Sequence, residues 1–302
     1  MRDILAKTLV GLCKDDDFVF LTGDLGFMAL EPVRDAAGAR FINAGVAEQN
    51  MISVAAGMAR LGFRPWVYSI APFLYARAFE QIRNDVCLHN LPVFLVGNGG
   101  GYGYGVMGAT HHALQDYGVL LGLPNLHVHV PAFGADVPVA AERMVRACAP
   151  AYLRLGRDEL PKNFVLPAYA PWRRLLAGDG PTLVIVGPLA GGILGAALEW
   201  RQEIRPTLWV LSELPLLADQ IPAALLEDIQ RSGHLVVVEE HVATGSLGQA
   251  LAHALLLRGA APRRFSHRHA LGYPSGCYGS QTYHRKECGL DPQSLLALIE
   301  NP

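Results

Sequence analysis

Short runs of apolar residues alternate along this chain with stretches in which apolar residues recur at helical spacing. In the first half, the runs predict strands at 18–22, 40–43, 65–68, 92–97, 126–130 and 151–155. Between them, the spacing predicts helices over 3–13, from residue 48 to Gly62, within 73–89 and over 139–148. Strands that alternate with helices through short connections are typical of a parallel, doubly wound sheet.

This pattern is interrupted once and then restarts. Residues 158–181 show no clear period and carry prolines at 161, 167, 171 and 181, which is typical of a linker. After it, the pattern predicts strands at 183–187, 207–211 and 234–239 and helices at 192–203, 223–231 and 246–257. We therefore expect an α/β fold with two doubly wound domains: 1–160, a linker over 161–180, and a smaller domain over 181–302.

Composition narrows the classes of function. The chain has 302 residues, 51% of them hydrophobic, which suits buried parallel strands in two cores. A net charge of −2 gives no electrostatic reason to expect nucleic acid or a membrane surface as a partner. We expect no membrane span and no signal peptide. Five scattered cysteines indicate reduced thiols in a cytoplasmic protein, and the histidine spacing indicates no metal site built by this chain.

Candidate chemistry is concentrated at 41–51, where a short strand leads through small residues to Glu48 at the start of a helix. An acidic residue at that place is commonly explained by favourable charge at the positive end of the helix dipole. Five other segments change the interpretation of Glu48. They are 73–83 (FLYARAFEQIR), 108–111 (GATH), 155–161 (LGRDELP), 238–241 (VEEH) and 245–248 (GSLG).

Together these segments resemble, in order, motifs of the transketolase family. Segment 41–51 resembles the stretch that activates the cofactor, and 73–83 resembles the stretch that supplies its aromatic wall. Segment 108–111 resembles the substrate-side histidine segment, and 155–161 the arginine segment that binds phosphate. The last two segments resemble the C-terminal domain. The resemblance covers a pyrimidine-binding domain and a C-terminal domain, without the first domain of transketolase, which binds diphosphate and magnesium.

The resemblance therefore implies the second subunit of a split transketolase. Its activity would be transfer of a two-carbon ketol unit between sugar donors, phosphorylated in our interpretation, and aldehyde acceptors. The implied cofactors are thiamine diphosphate and Mg²⁺, with the diphosphate and the metal held mainly by the partner. We expect that partner to be a separately encoded N-terminal transketolase subunit, with an α2β2 assembly as the symmetric minimum.

The family pattern gives Glu48 and three aromatic residues roles toward the cofactor. Glu48 would hydrogen-bond a ring nitrogen of the aminopyrimidine and so help remove the proton from the thiazolium carbon. Burial in an apolar pocket would favour the protonated carboxyl group that this exchange needs. Phe73 would stack on the pyrimidine, with Tyr75 and Tyr68 nearby. The alternative for all three aromatic residues is ordinary core packing.

Four further residues fall on the substrate side of the resemblance. His111 would hydrogen-bond the substrate and move protons, while the role of the adjacent His112 stays open. Arg157 would hold a substrate phosphate, the alternative being a salt bridge to Asp158 or Glu159. Met107 stands where family members commonly carry an acidic residue that contacts a sugar hydroxyl. This departure implies a non-standard donor or acceptor.

Two segments rich in glycine are interpreted more loosely. Loop 97–108 matches G-x-G-x-x-G at 103–108, but it is much longer than a Rossmann turn, so we expect a mobile active-site loop. Residues 273–283 are rich in tyrosine and glycine, and form either a surface turn or a loop that contacts the partner.

Two other functions remain open from the sequence. The β subunit of a 2-oxoacid dehydrogenase shares these domains and the cofactor, but it typically has His-Ser-Gln where this chain has Thr110, His111 and His112. A non-catalytic, transketolase-like assembly partner is the other candidate. The presence of Glu48 beside an intact aromatic segment argues against the second candidate, and Met107 argues mildly for it.

Overall fold

The computed structural model describes residues 1–300, with the side chain of residue 218 excepted. Its strands form a seven-stranded and a five-stranded sheet. The strands are β1 (Phe18–Thr22), β2 (Phe41–Asn43), β3 (Arg64–Ile70), β4 (Phe94–Asn98), β5 (His127–His129), β6 (Ala151–Leu155), β7 (Trp172–Leu176), β8 (Thr182–Val186), β9 (Thr207–Leu211), β10 (Glu213–Leu214), β11 (His234–Val238) and β12 (Arg264–Arg268).

Helices cover both faces of each sheet, as the connections of parallel strands require. They are α1 (Arg2–Leu12), α2 (Glu31–Ala37), α3 (Glu48–Arg60), α4 (Ala71–Tyr75), α5 (Phe79–Gln81), α6 (Asp116–Leu120), α7 (Asp136–Ala147), α8 (Leu189–Glu199), α9 (Ala223–Ser232), α10 (Leu247–Leu257), α11 (Gln281–Glu287) and α12 (Pro292–Glu300). In the described residues no helix is both long and apolar enough to cross a membrane.

The strand orders confirm the predicted α/β class. The first sheet runs β10-β5-β6-β4-β3-β1-β2, and its pairs are parallel except for the antiparallel β10. The second runs β12-β11-β8-β9-β7, with β7 antiparallel to β9. Crossovers through helices produce these non-sequential orders, which are those of doubly wound sheets.

Two strands differ from the sequence-based expectation. β7 lies inside the predicted linker 161–180, where adjacent Arg173 and Arg174 obscure any apolar alternation. Arg173 is nevertheless buried, because its Nη2 donates to Asp136 Oδ2 over 2.7 Å. β10 comes from the second half of the chain but pairs with β5 of the first sheet. The limits of the two domains remain a prediction.

The first sheet brings the functional segments to one edge. Parallel strands β1, β2, β3 and β4 lie side by side, so the chain leaves all four at the same carboxyl edge. The Glu48 turn follows β2, α4 follows β3, and the glycine-rich loop follows β4. Ligands of open α/β sheets bind at this carboxyl edge, where strand order reverses. The fold therefore places the candidate site there.

Candidate active site

Glu48 is positioned by a polar turn between β2 and α3. The Asn43 side-chain oxygen accepts hydrogen bonds from the backbone N–H groups of Gly45 and Asp24, each over 3.0 Å. Gly45 has a φ of +68°, which an L side chain would strain. The turn leads directly into α3, and the Glu48 side chain is only 1% exposed. A carboxylate is thus held inside the carboxyl edge of the sheet.

Arg77 pairs with this carboxylate. Its Nη1 donates to Glu48 Oε2 over 2.7 Å, while the Arg77 side chain itself stays 43% exposed. The same guanidinium lies over the Phe73 ring, with Cζ 4.5 Å from the ring centroid. This is a correction to the apolar pocket expected around Glu48, because the pocket contains a cation. Arg77 lies on the turn between α4 and α5, where no periodic pattern identifies it from the sequence.

Phe73 connects this pair to the substrate-side histidine. The Phe73 and His111 rings meet edge to face, with centroids 5.1 Å apart. His111 Nδ1 hydrogen-bonds Thr110 Oγ1 over 2.9 Å. The centroid of the Tyr104 ring lies 5.7 Å from that of the His111 ring. Glu48, Arg77, Phe73 and His111 therefore form one continuous row. The structure thus brings together three of the residues that the sequence analysis selected for catalysis and cofactor binding.

The two tyrosines predicted to be near the cofactor lie in cores. Tyr68 is buried with Phe20 and Trp66 on the face of the first sheet that α1 and α7 cover. Strand residues alternate between faces, so Tyr68 shares a face with Trp66 and not with Val67. Tyr75 is buried on the other face, and its hydroxyl reaches Gln115 Oε1 over 3.5 Å. Burial raises the pKa of both phenols. These placements favour packing roles.

Arg157 lies on a separate cleft of about 420 Å³ beside the row. The cleft is also lined by Arg2, Asn98 and Tyr104, and Tyr104 connects it to His111. Among residues 1–300, Arg157 makes no ion pair, so the predicted alternative of a salt bridge to Asp158 is not what the structure contains. Asp158 instead accepts the Gly134 N–H over 2.6 Å. Arg157 is thus available on this cleft to bind an anion, whereas Arg2 is paired with Asp3, which also lines the cleft.

His112 fixes the glycine-rich loop instead of facing the row. Its Nε2 donates to the Gly105 carbonyl over 2.7 Å, which leaves Nδ1 to accept the Tyr273 hydroxyl over 2.8 Å. Burial lowers the pKa of His112, and the bond to Gly105 raises it, with a net decrease. A neutral imidazole suits this pattern of one donor and one acceptor. The structure therefore gives His112 a structural contact.

Tyr102 anchors the same loop to the second half of the chain. Its hydroxyl donates to the Gly272 carbonyl over 2.7 Å, its backbone N–H donates to Glu240 Oε1 over 2.9 Å, and its ring stacks on His284. A Cβ on Gly101 would lie 2.6 Å from Glu240 Cδ. The glycines thus allow the loop to pack closely on the rest of the protein, while its expected mobility stays a prediction.

The segments that resemble the C-terminal domain form a buried network under α10. Glu239 accepts the N–H groups of Leu247 over 3.0 Å and Gly248 over 2.7 Å at the start of that helix. His267 Nε2 and the Tyr117 hydroxyl complete its shell. Burial raises the pKa of Glu239 and the bond to His267 lowers it, with a net decrease. The network joins α6 of the first half to β11 and β12 of the second.

Comparison with known proteins decides the family. Residues 1–163 match the model of the transketolase pyrimidine-binding domain. The chain belongs to the transketolase family. The resemblance inferred from the ordered motifs is confirmed by this match, and it identifies a family whose members use thiamine diphosphate.

Relatives of this transketolase-family chain include two kinds of enzyme. One subunit of the apulose-4-phosphate transketolase of Actinobacillus succinogenes is 30% identical over 269 residues, which are 86% of this chain and 83% of that relative. The 1-deoxy-D-xylulose-5-phosphate synthase of Myxococcus xanthus is 34% identical over 276 residues, or 86% of this chain and 45% of that enzyme. A solved structure described as a split-gene transketolase in an inactive β4 tetramer has a TM-score of 0.81 and 28% identity, covering 99% of this chain and 96% of that one.

The residues of this transketolase-family chain also test the fit to its family's cofactor. A buried carboxylate faces an aromatic ring, and a planar cation that donates an N–H already lies between them. Gly23 leaves room beside this carboxylate, since a Cβ there would lie 3.7 Å from Glu48 Oε1 and 3.2 Å from the Gly45 carbonyl oxygen. A flat heterocycle whose edge hydrogen-bonds the carboxyl group and whose face packs on the ring would make the same two contacts. The residues present therefore fit an aminopyrimidine.

Proposed function

We propose that this chain is the second subunit of a split transketolase, which transfers a two-carbon ketol unit between sugar donors and aldehyde acceptors. The observation that carries the proposal is the row formed by the buried Glu48 carboxylate, Phe73 and His111 at the carboxyl edge of the first sheet. The similarity to the Actinobacillus transketolase subunit, over most of both chains, supports it at the level of the whole chain.

Glu48 and Phe73 serve the cofactor in this proposal. Thiamine diphosphate, when bound, supplies a nucleophilic carbon and an electron sink for breaking a carbon–carbon bond. Glu48 holds a proton between its carboxyl oxygen and a ring nitrogen of the aminopyrimidine, in a position from which bulk water is excluded. Phe73 orients the ring by packing against its face. The diphosphate and Mg²⁺ belong mainly to the partner subunit.

His111, Arg157 and Met107 serve the substrate. His111 lies in contact with Phe73, so it can hydrogen-bond and exchange protons with a sugar bound over the same ring. Arg157 supplies a forked donor for a substrate phosphate on the cleft that it lines. Met107 is 55% exposed and apolar, so it gives a sugar hydroxyl no acceptor carboxylate. We infer a non-standard donor or acceptor, and the sugar of the Actinobacillus relative, apulose 4-phosphate, is one candidate.

The partner subunit would cover this edge of the sheet. Phe27, Met28 and Val46 are large apolar residues that stand exposed on the loops after β1 and β2. Large apolar side chains exposed on neighbouring loops are typical of interfaces. An α2β2 assembly would place this surface against an N-terminal transketolase subunit, and the cofactor between them.

Replacement of Glu48 tests the proposal. In the reconstituted complex, Glu48→Ala should reduce turnover of the sugar pair at least 100-fold, because the proton at the ring nitrogen loses its partner. Glu80→Ala, which removes an exposed glutamate from α5, is the matched control and should leave turnover unchanged. Ketol transfer is measured by the aldose product, and thermal unfolding confirms that both variants fold. Undiminished transfer by Glu48→Ala would refute the assignment.

A further inference from the structure

Arg77 occupies the space between the two groups that the proposed function assigns to the aminopyrimidine. Its Nη1 donates to Glu48 Oε2 over 2.7 Å, and its Cζ lies 4.5 Å from the Phe73 ring centroid. Within the described residues, this is the only hydrogen bond that a side chain donates to the Glu48 carboxylate. One guanidinium thus makes both contacts at once.

A guanidinium and an aminopyrimidine share part of their recognition chemistry. Both are planar and can stack on an aromatic face, and both can hydrogen-bond the Glu48 carboxyl group, the guanidinium as a donor to the carboxylate and the ring nitrogen as an acceptor from the protonated group. Glu48 is 1% exposed, and the Arg77 guanidinium is bonded to its Oε2 while it lies over the Phe73 ring. An aminopyrimidine that used the same carboxyl group and the same ring would therefore compete with Arg77.

The position of Arg77 allows it to leave. The residue lies on the turn between α4 and α5, and its side chain is 43% exposed. Rotation of the side chain into solvent would break the ion pair to the buried Glu48 carboxylate and one cation–π contact, without disturbing a helix. A ligand that replaces both contacts again gives the buried carboxyl group a partner, so displacement by such a ligand is feasible.

We propose that the Arg77 guanidinium occupies the place of the aminopyrimidine beside Glu48 and Phe73, and that the cofactor binds by displacing it. The inference rests on the proposed function and adds a regulatory element to the same site. The Arg77 cation neutralises the Glu48 carboxylate. A ligand that makes stronger contacts with Glu48 and Phe73 than Arg77 does would replace it. Cofactor affinity is then lowered by the cost of displacing Arg77.

Calorimetric titration of thiamine diphosphate, with saturating Mg²⁺, into the complex with the partner subunit tests this inference. Arg77→Met keeps the length of the side chain and removes both contacts, so it should bind about tenfold tighter than wild type, a factor that corresponds to about 1.4 kcal/mol. Arg77→Lys keeps the charge without the planar donor, so its affinity for thiamine diphosphate should lie between those of wild type and Arg77→Met. Arg83→Met changes an exposed arginine nearby and should have no effect.

The outcomes separate the two proposals. Equal or weaker binding by Arg77→Met, with wild-type binding intact, would overturn the displacement and leave the proposed function in place. Absence of binding by wild type and all variants would overturn both. Arg77→Gln provides the same comparison should Arg77→Met fail to fold.

Discussion

The position of the Glu48 carboxylate depends on a few neighbouring atoms. Asn43 closes the turn through its side-chain oxygen, and Asn43 Nδ2 also donates to Asp24 Oδ1 over 3.1 Å. Glu48 and Phe73 could be selected from the sequence because each belongs to an ordered motif. Arg77 belongs to the same segment, but its contact depends on how a turn between two short helices folds, which spacing does not specify.

Tyr68 shows the opposite case. An aromatic residue near a motif is a natural candidate for a cofactor wall, yet strand alternation turns Tyr68 to the face shared with Trp66. The extent of β3, from Arg64 to Ile70, decides which face each residue takes. The apolar run alone does not define that extent, so the sequence could not assign the face.

His129 gives a pH-dependent prediction at the residue scale. It is only 5% exposed, and burial lowers its pKa from 6.5 to about 4, although Glu213 opposes the shift. Between these pH values the unfolded chain binds a proton that the folded chain does not, so stability falls as the pH falls from 6.5 toward 4. The decrease is at most about 1.4 kcal/mol per pH unit.

Chemical denaturation at several pH values checks this expectation. His129→Leu should lose less stability than wild type between pH 6.5 and 4. His253→Leu, which replaces an exposed histidine on α10, should keep the wild-type dependence. Identical pH profiles for wild type and His129→Leu would show that burial of His129 does not control the stability of the fold between pH 6.5 and 4.

At the scale of elements, β7 and the glycine-rich loop were the segments whose structure the sequence could not give. Strands such as β1 and β6 coincide with their predicted limits, because both faces of a buried strand are apolar. β7 carries two arginines, one of them buried by Asp136, so its apolar pattern is incomplete. The glycine-rich loop packs against α11 and the segment before it, and a contact between such distant segments leaves no local pattern.

Gly101→Ala tests the packing of that loop. Gly101 has a φ of +63°, and its Cβ would lie 2.6 Å from Glu240 Cδ. Gly276 also has a positive φ, +72°, with nothing within 4 Å of its Cβ, so Gly276→Ala measures the backbone cost alone. That cost is about 1 kcal/mol, and Gly101→Ala should lose at least about 1 kcal/mol more because of overpacking. Equal losses in urea denaturation would contradict close packing at Gly101.

At the scale of the whole molecule, the second half of the chain contributes to the first sheet and to the glycine-rich loop. β10 pairs with β5, and Glu240 accepts hydrogen bonds from the Tyr102 N–H and from Arg285. The candidate site lies at the carboxyl edge of the first sheet, with Phe27, Met28 and Val46 exposed around it. The α/β architecture follows from the alternation of strands and helices. The expectation of a second subunit rests on the family resemblance and not on a pattern within this chain.

The central claim is that this chain supplies half of a shared cofactor site. Calorimetric titration of thiamine diphosphate and Mg²⁺ tests it most directly, first into this chain alone and then into its mixture with an N-terminal transketolase subunit. We predict no binding to the chain alone and tight binding to the mixture, with one cofactor for each pair of chains. Tight binding to the chain alone would contradict the claim, because the diphosphate would then be held within these 302 residues.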